Sequence, residues 1–204
     1  HEYKTVAIDS VTALERLFIA DILASDPKAK SINQALGGYG AGIAAVAAMH
    51  QRVRKAAGVL NERKGMHVVF VAHADVETMR LPDSDDYMRY SLRLPPKSLP
   101  PYVDDVDVVG FLRLQTATLG EEGERKKAIS TGQRELVTFA TAANVSKNRF
   151  DIEQPLPVAK GENPLVEHVP SLIGTATEPK AFDGWKDADA TTETDETKTE
   201  ETET

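Results

Sequence analysis

The run His67-Val68-Val69-Phe70-Val71-Ala72 is apolar at successive positions from Val68 on, so as a strand it offers apolar side chains to both faces of a sheet. That pattern belongs to a central parallel strand of an α/β protein, covered on both sides. A second apolar run, Val6-Ala7-Ile8, ends in Asp9-Ser10 and passes at once into a helical pattern. An unpaired carboxylate inside a buried strand carries a heavy desolvation cost, so Asp9 belongs at the strand's end, where water or a cation reaches it. Two such strand–helix units predict a right-handed βαβ crossover. The tips of both strands would then share the carboxyl edge of one sheet, where open α/β folds bind ligands.

The first strand is expected over residues 4–9. Thr12 and Glu15 form an S/T-x-x-E capping signal for a helix whose apolar face carries Leu14, Leu17, Phe18 and Ile22. A loop with Pro27 and the run Gly37-Gly38-Tyr39-Gly40-Ala41-Gly42 leads to a long helix with Ile43, Val46, Val53, Ala57 and Leu60 on one stripe, stopped by Gly65. The polar stretch 74–94 reads as a long connection without obvious structure. A short helix over 96–105, a strand over 106–114, a charged hairpin loop over 120–132 and a strand over 134–142 follow. Four prolines, Pro155, Pro157, Pro164 and Pro170, then punctuate an extended exit.

Charge is unevenly distributed. Residues 174–204 hold ten acids and three lysines, a net of −7 out of −8 for the whole chain, which leaves 1–173 near −1. This Thr/Glu-rich tail has too little apolar surface to fold and is expected to be disordered. The domain reading is therefore a folded 1–173 and an acidic tail 174–204. The absence of cysteine excludes disulfides, thiolate nucleophiles and Cys-based metal sites, and fits a reducing compartment. No apolar run approaches the roughly 18–20 residues of a membrane span, and "HEYKTVAID" has no signal-peptide core. Beginning with His and reaching a strand almost immediately, the chain reads as starting in mid-domain.

Several familiar chemistries fail on spacing. The glycine run lacks the Lys-Ser/Thr of G-x-x-x-x-G-K-[ST] and does not fit G-x-G-x-x-G, so it reads as a flexible loop into a helix. The five histidines show no H-E-x-x-H, and His50, on the apolar stripe of the long helix, reads as a hydrogen-bonded core residue. A Ser/His/Asp hydrolase built on Ser10 and His73 lacks the G-x-S-x-G elbow. A strand-terminal Asp that holds Mg²⁺ through water, followed by Ser, fits the second half of a P-loop ATPase better.

In order along the chain, "VAIDSVTALE", "HVVFVAHADVE", "DYMRYSLRLPPKSLPPYVDDVDVVGFL" and "SKNRFDIEQPLP" resemble the RecA-like ATP-binding proteins of phages and prophages, on the RecA/RadA side of the P-loop ATPases. The resemblance spans about residues 3–170, and Lys147-Asn148-Arg149-Phe150 is similar to a K-N-R-F motif of RadA-type proteins that continues with glycine, where this chain has Asp151. It implies a RecA-like α/β core with a mainly parallel sheet flanked by helices, its first strand and P-loop lying upstream of residue 1. It implies ATP and Mg²⁺ as cofactors. Asp9 would be the Walker B aspartate for Mg²⁺, with Ser10 beside it, and His73 the strand-end sensor of the γ-phosphate. Lys147 and Arg149 would reach a neighbouring subunit's nucleotide in a homo-oligomer, where cations stabilise charge developing on the phosphoryl oxygens.

The resemblance also places two loops, 25–42 and 74–94, facing single-stranded DNA. In the second, Arg80, Arg89 and Arg93 suit phosphates and Tyr87 and Tyr90 suit base stacking, although Asp83, Asp85 and Asp86 repel a phosphate backbone. The implied setting is recombination or annealing in a bacterial host's cytoplasm, without a membrane. No G-x-x-x-x-G-K-[ST] occurs in the 204 residues, so these residues alone are expected to bind ATP poorly. The alternative is a non-hydrolysing RecA-like module that binds DNA or protein; a plain structural protein comes third.

Overall fold

The computed structural model describes residues 3–83, 85–119 and 127–172. The chain divides into two units, His1–Pro164 and Leu165–Thr204. In the second, Val169 donates its N–H to Leu165 and a 3-10 turn spans Pro170–Leu172. The expected acidic tail and its 173/174 boundary lie outside the described residues.

In the first unit, β1 (Thr5–Asp9) runs parallel to β2 (His67–Val71), with Thr5 opposite His67 and Asp9 opposite Val71. Helices α1 (Val11–Ser25) and α2 (Ala41–Lys64) connect them, as the apolar runs predict. The helices meet around Ile22, Ala35 and Val46, with Phe18, Ile19, Leu23 and Met49 packed on that cluster. A Cβ at Gly42 would collide with the carbonyl oxygen of Ile32, so the entry of α2 requires the missing side chain. The helix ends at Gly65, whose φ of 60° turns the chain left-handed while its N–H caps the carbonyl of Asn61.

Two details of α1 differ from expectation. Its N-cap is Ser10, whose Oγ accepts from the Ala13 N–H at 3.2 Å, so the Thr12/Glu15 capping box is not used. Its inward face carries Val11, Glu15 and Ile22, while Leu17 is 62% exposed. The apolar stripe admits a carboxylate because Glu15 finds a buried hydrogen-bond partner on α2.

The single, mainly parallel sheet is corrected. Among the described residues the sheets are small and mostly antiparallel, with β1–β2 the parallel pair. β3 (Ala74–Met79) pairs with β4 (Tyr87–Leu92), so the stretch read as an unstructured connection is a hairpin. Alternation in Ala-Asp-Val-Glu-Thr-Met puts Ala74, Val76 and Thr78 on one face and Asp75, Glu77 and Met79 on the other, where the two acids pair with Arg93 and Arg89. A 3-10 turn at Pro96–Ser98 precedes α3 (Pro100–Val103), where proline at the first helical position needs no N–H partner. β5 (Val108–Val109) pairs with β8 (Lys147–Asn148). β6 (Phe111–Leu119), β7 (Lys127–Val137) and β9 (Leu156–Val158) form an antiparallel sheet, and β7 starts earlier than the expected 134. The face of β2 that carries Phe70 is covered by Tyr102 of α3, whereas Val69 and Val71 on the other face are 46% and 38% exposed.

Candidate functional site

The parallel register brings Asp9 level with Val71, so His73, just beyond the end of β2, lies at the same sheet edge as Asp9 and Ser10. Thr12, in the first turn of α1, accepts the His73 N–H at 3.1 Å and ties the two tips together. The His73 carbonyl in turn accepts the N–H of Arg93 at 2.7 Å. The Asp9 carboxylate and the His73 imidazole are exposed and have no side-chain partner among the described residues. Ser10 is buried and committed as the cap of α1. The Asp9–Ser10 peptide is cis.

These residues fit a hydrated Mg²⁺. A hard cation of that size keeps most of its waters and takes one or two protein carboxylates, and Asp9 offers one unpaired carboxylate at a wet edge. Among the described residues no group of three or more His, Cys, Asp or Glu side chains could hold a metal ion.

Lys147 and Arg149 sit elsewhere, on and just after β8. The Lys147 ammonium donates to the carbonyl of Asp104 at 2.7 Å, and Arg149 Nη1 lies 3.3 Å from Asp107 Oδ1. Their partners are in this turn after α3, not Asp9 or His73. Between them, Asn148 organises the chain: its Nδ2 donates to the carbonyls of Thr138 and Ile152, both at 2.9 Å, and its Oδ1 accepts from Phe150 and Ile152 N–H at 2.9 and 3.0 Å. Asp151, where the motif continues with glycine, has φ 52°. Aspartate is one of the residue types that tolerate this left-handed conformation.

The hairpin arginines are paired in cis. Arg89 donates twice to Glu77 Oε1 directly across the strands, at 3.0 and 2.6 Å. Arg93 faces Asp75 at 3.7 Å and Arg80 faces Asp86 at 3.4 Å. Tyr90 stacks on Phe111 with ring centroids 4.8 Å apart, and Tyr87 lies opposite Met79.

Sequence reasoning missed one buried group. His50, fully buried, places Nε2 2.7 Å from Glu15 Oε2 and Nδ1 2.7 Å from the Tyr102 hydroxyl. Burial and the Glu15 carboxylate push the Tyr102 hydroxyl up to about 12, so the phenol stays protonated. The expectation of a hydrogen-bonded core histidine is met, but its partners were hidden: Glu15 read as a cap residue and Tyr102 lies in a proline-rich stretch.

The AAA domain family model matches residues 1–150. The chain belongs to the AAA domain family. No curated protein and no solved structure matches it. For this AAA domain, membership bears out the P-loop ATPase side of the expected resemblance, a nucleotide-binding, ATPase-type domain. Among its described residues no helix is long and apolar enough to cross a membrane.

Proposed function

We propose that this AAA domain supplies the metal-and-sensor half of a RecA-like Mg-ATPase centre of phage type. The observation that carries the reading is the shared edge of β1 and β2, where the Asp9 and His73 side chains are exposed and have no side-chain partner among the described residues, while Thr12 ties the two strand ends together. Asp9 binds hydrated Mg²⁺ and His73 reads the distal phosphate. Bound Mg²⁺ neutralises phosphate charge, and the chain's part is to hold the ion's water shell and aim the imidazole. Lys147, half-buried in β8, and Arg149, exposed just after it, act on the nucleotide of a neighbouring copy. ATP turnover in the assembled protein is linked to single-stranded DNA recombination or annealing in a bacterial cytoplasm.

The test uses Mn²⁺ as a paramagnetic stand-in for Mg²⁺ on the 204-residue chain. Broadening of amide signals should centre on residues 8–10 and 72–73 and disappear in Asp9→Asn. Broadening centred on the acidic tail, unchanged by that substitution, would remove the metal site.

A second reading is a non-hydrolysing module that binds DNA or protein. It is favoured by Lys147 and Arg149 being held within the chain by the Asp104 carbonyl and the Asp107 carboxylate. Single-stranded DNA binding that ignores ATP while weakening with salt would select it.

A further inference from the structure

With Glu15 ionised and the imidazole neutral, the buried group Glu15–His50–Tyr102 has one consistent arrangement of protons. The Glu15 carboxylate accepts only, so Nε2 of His50 carries the hydrogen and Nδ1 is left to accept the Tyr102 hydroxyl. The chain of donors therefore runs one way, from α3 through α2 to α1. Phe18 and Phe70 pack edge-on around it, with centroids 4.9 Å from His50 and 5.0 Å from Tyr102. Stability alone does not call for this: well-packed apolar residues of the same volume serve as well or better than a buried charged group. An ordered polar chain instead fixes relative orientation, because a small rotation of any helix breaks a bond that nothing nearby replaces.

Each end of that chain leads to a different part of the proposed centre. Glu15 is in the helix capped by Ser10, directly after Asp9. Tyr102 is in the short helix before the turn that holds Lys147 through the Asp104 carbonyl and Arg149 through the Asp107 carboxylate. Farther along α2 from His50, Arg54 donates Nε to the Asp105 carbonyl at 3.1 Å, so α2 also grips that turn directly. We propose that His50 is a positioning residue which, through Glu15 and Tyr102, sets the placement of the Asp9–Ser10 tip relative to the Lys147/Arg149 arm. The functional meaning rests on the ATPase reading above; the mechanical link between the two places does not.

The link is tested on the 204-residue chain without nucleotide. In nitrogen-15 spectra, His50 should show the Nε2–H tautomer with a distinct Nδ1 acceptor signature, which Tyr102→Phe weakens and Phe70→Leu, a packing change only, leaves in place. Tyr102→Phe should shift amide signals at residues 9–12 as well as at 104–107 and 147–149. The unfolding equilibrium of Glu15→Gln, Tyr102→Phe and the double variant should be non-additive by about fivefold or more. An Nδ1–H tautomer, shifts confined to 100–107, or additive variants would each overturn the proposal. If these couplings hold but Mn²⁺ ignores Asp9, the link stands and the proposed metal site falls.

Discussion

Thr12 Oγ1 accepts the backbone N–H of His73 at 3.1 Å, so the helix leaving one strand tip holds the end of the next. Replacing Thr12 with Val keeps the β-branched shape and deletes the acceptor. The expected loss is about 1–2 kcal/mol of folding stability, most of it restored by Thr12→Ser. Urea unfolding of the two variants checks this, and amide exchange at His73 should rise in the valine form alone.

Tyr102 makes the fold sensitive to alkali. Its hydroxyl titrates near 10 in the unfolded chain and is raised to about 12 in the fold. The folded state therefore holds the proton more tightly, and this contribution is complete below pH 10 and is lost as pH climbs from 10 to 12. The total is about 3 kcal/mol for a shift of this size. Chemical unfolding at a series of pH values should show a drop over that interval which Tyr102→Phe removes.

Gly42 should not tolerate a side chain. Its missing Cβ is the space taken by the Ile32 carbonyl, so Gly42→Ala must push α2 off the loop before it. A loss of roughly 2–3 kcal/mol is expected, despite the better helix propensity of alanine. Gly58, also in α2, would place a Cβ 3.5 Å from Arg54 Nη1, an ordinary van der Waals contact. Gly58→Ala should be neutral or stabilising, and thermal unfolding of the pair separates crowding from propensity.

Asp151 holds a left-handed turn at φ 52°. Asp151→Gly removes the Cβ strain and should be close to neutral or stabilise by up to about 1 kcal/mol, whereas Asp151→Val should cost about 1–2 kcal/mol. Asn148→Ala, which deletes the acceptor for Phe150 and Ile152 N–H, should cost more than either. Denaturant midpoints of the three variants rank the contributions.

The strand tips and the long helix were legible because their signals are local: an apolar run that stops at Asp9, a periodic stripe through Val46 and His50, and a glycine at position 65. The hairpin of residues 74–92 was not, because cross-strand pairing of Glu77 with Arg89 is invisible until the register is known, and the same acids and arginines read as a solvated loop. Sheet polarity failed for a related reason. Alternation identifies a strand but not its neighbour, and β5 finds β8 from far along the chain. At the site, Asp9 and His73 were readable as strand ends, whereas Thr12, Glu15 and Tyr102 each bond a residue distant in sequence, so no spacing rule reveals them.

The ion pairs of the hairpin mean that it carries its own counterions. A polyanion arriving there would not fill a vacant charge; it would trade places with Asp75, Glu77 or Asp86 on Arg93, Arg89 or Arg80. Such an exchange liberates fewer salt ions per arginine than a bare cation would, so the slope of affinity against salt would undercount the arginines engaged. Removing the Glu77 carboxylate would then steepen that slope and raise affinity together, the signature of a surface held in check by its own acids.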